Sequence, residues 1–229
     1  MRPLRLLFIV FGLAACSDDV PLDLSVGPVG FDVDASRITL PATLQSSGTV
    51  ARVPCSSALP CPNLGAGAPT LQCVASACDP GPFAFDLGVM NAIDLSAYSS
   101  VVATLSDNVR QITITQMSWQ AAAMGLRVPV GPVEVYWGPE SASGIASDGV
   151  RRLGRIPTLA FSAAGTASGN VELDAAGNAA LSTHFLHTSR RFRLFARATV
   201  DLAPGGPLPA GRASIQVRMN VRVETRVLP

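Results

Sequence analysis

Two long runs late in this chain alternate apolar and polar side chains almost without interruption. Phe192, Leu194, Ala196, Ala198 and Val200 share one parity, separated by Arg191, Arg193, Phe195, Arg197 and Thr199. Ile215, Val217, Met219, Val221 and Val223 repeat the pattern against Ser214, Gln216, Arg218, Asn220 and Arg222. A period of two sends successive side chains to opposite faces of a strand, so each run predicts a strand with one buried face. Residues 203–211 between them (APGGPLPAG) are rich in Gly and Pro, and predict that the two runs pair as an antiparallel hairpin.

Shorter strand signals recur at residues 31–40, 48–53, 83–89, 99–105, 109–119, 126–137 and 171–173, separated by turns and lacking any strand–helix–strand rhythm. This pattern predicts an all-β fold: an antiparallel β-sandwich of immunoglobulin-like type. Pro129 and Pro132 predict that the run 126–137 starts at a sheet edge, because proline cannot donate to a ladder. A single short helix is expected, capped by Asn178 and running to His187, with Leu181 and Phe185 four apart on one face. Residues 54–82 hold six prolines and four of the five cysteines, and predict a loop insertion in the sandwich rather than sheet.

Cysteine spacing sharpens that reading. Cys55, Cys61, Cys73 and Cys78 are an even set within a short stretch, spaced C-x5-C and C-x4-C. Paired C-x2-C knuckles would favour zinc, whereas this spacing predicts two disulfides stapling the loop. Three pairings are open, and the interleaved one, Cys55–Cys73 with Cys61–Cys78, is favoured.

The fifth cysteine stands apart. Arg2 and Arg5 precede an apolar run, LLFIVFG, too short to span a bilayer, and then Leu13-Ala14-Ala15-Cys16. This segment resembles the lipobox of bacterial lipoprotein signal peptides. The resemblance covers residues 1–16 only. It implies cleavage before Cys16, a diacylglycerol on the Cys16 thiol and acylation of its amine, giving durable attachment to a membrane. Residues 1–15 are then a signal peptide, 16–28 a lipidated tether, and 29–229 one domain. Ser17 directly after the cysteine favours the outer membrane of the cell envelope over the inner.

All seventeen basic residues are arginine. The charge is nearly balanced overall, but residues 17–107 carry nine Asp against Arg37 and Arg52, whereas residues 108–229 carry thirteen Arg against seven acids. Acidic and basic strands lying side by side would account for this split. The sharper alternative is that Arg191, Arg193, Arg197, Arg218, Arg222 and Arg226, all on the outward parity of the expected hairpin, form one anion-binding face for a glycan or an acidic envelope protein. Nucleic acid is not an expected partner for a near-neutral exported chain.

No catalytic motif of the G-x-S-x-G, H-E-x-x-H or P-loop kind is present, and an enzyme is not expected. His184 and His187, the two histidines, predict a helix-surface pair without a ligand set for a metal. Trp119, Tyr136 and Trp137 offer an aromatic patch for sugar or lipid as one reading, and the tryptophans of a β-sandwich are expected in the core. Neither cofactor nor metal is expected. The sequence thus predicts a lipid-anchored envelope module that binds or supports, with a carrier of an apolar ligand held between the sheets as the alternative and an envelope hydrolase as a third reading.

Overall fold

The structure, a computed structural model, describes residues 19–38, 40–64, 70–98, 109–159 and 165–226. The strands are β1 (Asp19–Asp34), β2 (Gln45–Ser46), β3 (Thr49–Val50), β4 (Gln72–Val74), β5 (Ala77–Asp79), β6 (Gly81–Val89), β7 (Ile93–Asp94), β8 (Val109–Met124), β9 (Val130–Pro139), β10 (Arg151–Ile156), β11 (Thr166–Asn170) and β12 (Glu172–Leu173). Helix α1 (Ala175–His187), the one α-helix among the described residues, precedes β13 (Arg191–Leu202) and β14 (Arg212–Arg226). A four-stranded sheet has the order β1-β14-β8-β11 and a larger sheet the order β12-β10-β9-β13-β6, with β7 also on β13. Both sheets are antiparallel, as the sequence predicts. The expected strand at 99–105 lies outside the described residues, as do Cys16 and the rest of residues 1–18.

One apolar core joins the two sheets. Phe192, Leu194, Ala196, Ala198 and Val200 of β13 are buried, and so are Ile215, Val217, Met219, Val221 and Val223 of β14. The parity of both runs is therefore as predicted, but their pairing is not. β13 lies between β9 and β6, whereas β14 lies between β1 and β8. The two strands sit in different sheets and share the core instead of a ladder. Tight hairpins favour turns of two to five residues, and the nine residues 203–211 are long enough to carry the chain from one sheet to the other. Strand length then selects partners: β14 has 15 residues and runs between two strands of 16.

β1 also corrects an expectation. Residues 19–28, read as part of a tether, form the first half of this strand, in register from Asp19↔Arg226 to Asp34↔Arg212. Leu24 and Val26 are buried while Asp23 and Ser25 are exposed, a period-two pattern hidden by its brevity. Midway, the register jumps between Val26 and Val29. The intervening residues are Gly27-Pro28, so the local sequence is Val-Gly-Pro-Val. The same four residues recur as Val130–Val133, again spanning a register shift, here against β13, where Val130 faces Val200 and Val133 faces Ala198. In an unbroken strand, residues i and i+3 point to opposite faces. An inserted residue restores the parity, so Val26 and Val29, like Val130 and Val133, are all buried. This explains why Pro132 sits in β9, a strand paired on both sides, and not at the predicted sheet edge: a bulge needs no donor at that position.

β10 and β11 had no usable signal. Arg151–Ile156 offers only Leu153 and Ile156 as large apolar residues, three apart across a register shift, and Thr166–Asn170 (TASGN) offers none. The expected break after Trp119 is absent, since β8 continues through Ala121–Ala123 along β14.

The chain from β11 to α1 closes one side of the molecule. β11 pairs with β8 in the smaller sheet, and Val171 N–H then donates to Met117 O at 2.8 Å. From the next residue β12 pairs with β10 in the larger sheet. The helix starts earlier than predicted. Asp174, not Asn178, is the N-cap, its carboxylate accepting from Gly177 N–H at 2.9 Å. Asn178 instead leaves the helix to bond the backbone of β8, accepting from Ile114 N–H at 3.2 Å and donating to Ile114 O at 2.9 Å. Its side chain thus continues, for one residue, the pairing that β11 has abandoned.

The disulfides are as expected, Cys55–Cys73 and Cys61–Cys78 with Cα separations of 5.8 and 5.6 Å, but residues 54–82 are not all loop. Within this stretch a small hairpin, β4–β5, sets Cys73 opposite Cys78, so two neighbours in register are each bonded to a more distant partner.

Candidate functional site

With β13 and β14 in opposite sheets, the six arginines predicted to share one face are divided between two outer surfaces. On the larger sheet, Arg191 pairs with Glu140 at 2.9 Å and lies 3.8 Å from Asp94, and Arg197 pairs with Asp86 at 2.8 Å. Arg193 neighbours them, its Nε buried and without a hydrogen-bond partner. Nearby, Tyr136 donates to Glu134 at 2.7 Å, and burial together with that carboxylate pushes its phenol up to about 12. Arg152 bridges Asp174 at 2.8 Å and Glu134 at 3.6 Å, and this guanidinium, with the Gly177 N–H, holds the Asp174 carboxyl below its ordinary range. On that outer surface Arg152, Arg191 and Arg197 are each matched by acids, and Arg193 is not.

On the smaller sheet, acidic β1 lies beside arginine-bearing β14, as the division of charge along the chain predicts. Arg222 meets Asp23 at 3.0 Å, and Arg212 meets Asp34 at 3.4 Å, each across one register position. Arg218 is different. It is exposed, and among the described residues it has no partner. The cause is in β1: opposite Arg218 falls the Gly27-Pro28 bulge, with Val26 aligned to Met219 and Val29 to Val217. Where Arg222 and Arg212 each face an aspartate, Arg218 faces a residue without a side chain and a proline. The side chain of Arg226 lies outside the description.

The surroundings of Arg218 are polar and uncharged. Register places Arg218, Ser118 and Asn170 in one row across β14, β8 and β11, and Gln216, Gln120 and Ser168 in the next. These six line a shallow depression of about 500 Å³. An amide relay stiffens its margin: Asn220 Nδ2 donates to Gln116 Oε1 at 3.2 Å, and Gln116 Nε2 donates to Asn170 Oδ1 at 3.1 Å. Such a grid offers hydroxyls, carboxamides and one free fork of guanidinium donors to a ligand lying flat. Residue parity identified Arg218, but the sequence held no sign of the row it would join, because rows depend on which strands are neighbours.

The other predicted residues lie elsewhere. His184 and His187 are not a surface pair. His184 is buried, its ring 5.3 Å from that of Trp137 and its Nε2 3.1 Å from Arg191 O, while His187 is exposed. Trp119 and Trp137 are core residues whose indole N–H groups donate to Asn170 O at 3.2 Å and Gly177 O at 2.9 Å; Tyr136 is half-buried. The Sγ atoms of Cys55, Cys61 and Cys73 lie within 4.8 Å of one another, a spacing a metal could use, but the disulfides account for it. The space between the sheets, where a carried apolar ligand would sit, is filled by core side chains including Phe192, Leu194, Ile112 and Met117. A second cleft, of about 540 Å³, opens at the edge formed by β1 and β6, with Phe31, Leu87 and Met90 in its wall beside Asp32, Asp34 and Arg212.

No protein-family model matches this chain, and no curated protein matches it significantly. Among solved structures it is similar to a chain of Desmodium yellow mottle tymovirus, at 12% identity over 100% of this chain and 91% of that one, with a TM-score of 0.27. A chain of turnip yellow mosaic virus is similar at 14% identity, over 81% of this chain and 93% of that one, with a TM-score of 0.22. Likeness at this level carries no argument for fold or function.

Proposed function

We propose that this chain is a lipid-anchored β-sandwich module on the outer membrane of a bacterial envelope, with a binding or structural role and no catalytic one. The observation that carries the reading is the pairing of cysteines. Four of the five are joined to each other, 55 to 73 and 61 to 78, which leaves Cys16, the residue of the lipobox-like segment, for acylation. Disulfides persist in exported proteins and are rare where thiols are kept reduced, so two independent features agree on export. A thioether-linked diacylglycerol together with an N-acyl chain would hold the protein firmly, since two or more chains exceed the marginal hold of one.

Membrane fractionation of the native chain and of Cys16→Ser tests the proposal. The native chain is expected in the membrane fraction, with acyl mass on residue 16, and the variant is expected to lose both. A native chain whose mass shows residue 16 unmodified and its leader intact would overturn the reading.

A further inference from the structure

We propose that the outer face of the four-stranded sheet binds a carboxylated glycan, with Arg218 as the residue that takes the carboxylate. This deepens the proposed envelope role and rests on that reading for where the glycan is met. Three observations lead to it. First, Arg218 is left without a partner among the described residues by the build of its own sheet: the neighbouring strand supplies Asp23 to Arg222 and Asp34 to Arg212, but the Gly27-Pro28 bulge beside Arg218. A Cβ on Gly27 would meet Val217 O at 2.8 Å, so no acidic side chain fits there without moving the ladder.

Second, the side chains around this cation are neutral hydrogen-bonding groups, Ser118, Gln120, Ser168, Asn170 and Gln216, in two rows of an antiparallel sheet. Neighbouring strands lie about 4.8 Å apart, and same-face residues about 6.8 Å apart along a strand, so the grid repeats on the scale of single sugar rings. Carboxamides and hydroxyls both donate and accept, as sugar hydroxyls require. Third, one fixed positive charge among uncharged partners selects a ligand that is mostly neutral and singly charged per unit. A guanidinium fork matches a planar carboxylate with two parallel hydrogen bonds. A densely phosphorylated chain would leave most of its charge unmatched on this face, and an apolar peptide would leave the grid's donors unsatisfied.

The test uses the full chain in detergent micelles, titrated with short oligosaccharides of neutral sugars that carry a single glucuronate or a single galacturonate, with their methyl esters, and with a phosphorylated oligosaccharide. Binding to one of the carboxylated probes is expected. It should weaken roughly tenfold or more both on methyl esterification and in Arg218→Ala, as loss of a charge-assisted pair implies. Arg222→Ala, whose guanidinium is held by Asp23, should have the smaller effect, and thermal unfolding of both variants should stay near that of the native chain. No binding to either uronate, equal binding of the esters, a preference for the phosphorylated probe, or indifference to Arg218→Ala would each overturn the proposal. Because the assay needs no lipid anchor, its failure is separate from a failure of Cys16 acylation.

Discussion

At the scale of single residues, the glycines of the two Val-Gly-Pro-Val segments do work that no other residue can. Gly131 has φ of +140° and Gly27 has φ of +112°, and at each the space for a side chain is closed by backbone. At Gly131 the obstruction is Thr158 and Leu159, the segment that bridges back to Val130. A methyl there must either displace that segment or abandon the bulge, and losing the bulge would turn Val130 or Val133 out of the core. Gly131→Ala is therefore expected to destabilise the protein by about 1–3 kcal/mol, the range for a strained backbone residue. Gly125, with φ of +66° and open space around it, provides the control, since Ala there meets only the backbone preference. Denaturant unfolding of the two variants checks this, and equal losses would mean that the bulge is not what demands glycine at 131. The repeat that marks these bulges was printed in the sequence, but a four-residue match acquires meaning only when both copies prove to share one conformation.

Elements were legible where one face of a strand met the core over many residues, and illegible where a partner outside the element set its limits. β13 and β14 could be read directly, because ten or more residues hold the period, whereas β8 changes parity between Ile114 and Met117. The cysteine pairing was readable as one favoured choice of three. α1 is the instructive failure: the sequence shows a helix with Asn178 near its start, and Asn is a good cap. Asp174 took that place because its carboxylate serves both Gly177 N–H and Arg152, a residue distant in sequence. Asn178 was thereby freed to cover the edge of β8 beyond the end of β11, pairing both backbone groups of Ile114. An uncovered strand edge leaves a donor and an acceptor to find water or another chain. Asn178→Ala is expected to cost about 1–3 kcal/mol in denaturant unfolding. Faster hydrogen exchange at the Ile114 amide should accompany the loss. A stability equal to native would mean that the two bonds contribute nothing to holding α1 on β8.

For the whole molecule, the decisive step is which strands become neighbours, and local pattern does not encode it. Parity assigned the correct residues of β13 and β14 to the interior, and that assignment is the same whether the strands pair in one sheet or face each other across the core. The two arrangements separate only on the outside. A hairpin matching inward residues to inward residues would set Thr199 beside Gln216 and gather the arginines on one surface. The observed arrangement sets Ser25 beside Asn220 and divides the arginines, so that Arg191, Arg197 and Arg222 each find an acid. Opposed residues on antiparallel strands have Cα atoms about 4.5–5.5 Å apart, within the reach of a disulfide, whereas the two sheets stand about 10 Å apart. The double variant Ser25→Cys with Asn220→Cys is therefore expected to form a new disulfide under oxidising conditions, detected by peptide mapping, with the native pairs intact. Thr199→Cys with Gln216→Cys should remain as free thiols, because those residues point outward from opposite sheets. A Thr199–Gln216 bond with none at Ser25–Asn220 would restore the hairpin, reunite the arginines on one face and remove the bulge-made isolation of Arg218 on which the proposed glycan recognition depends.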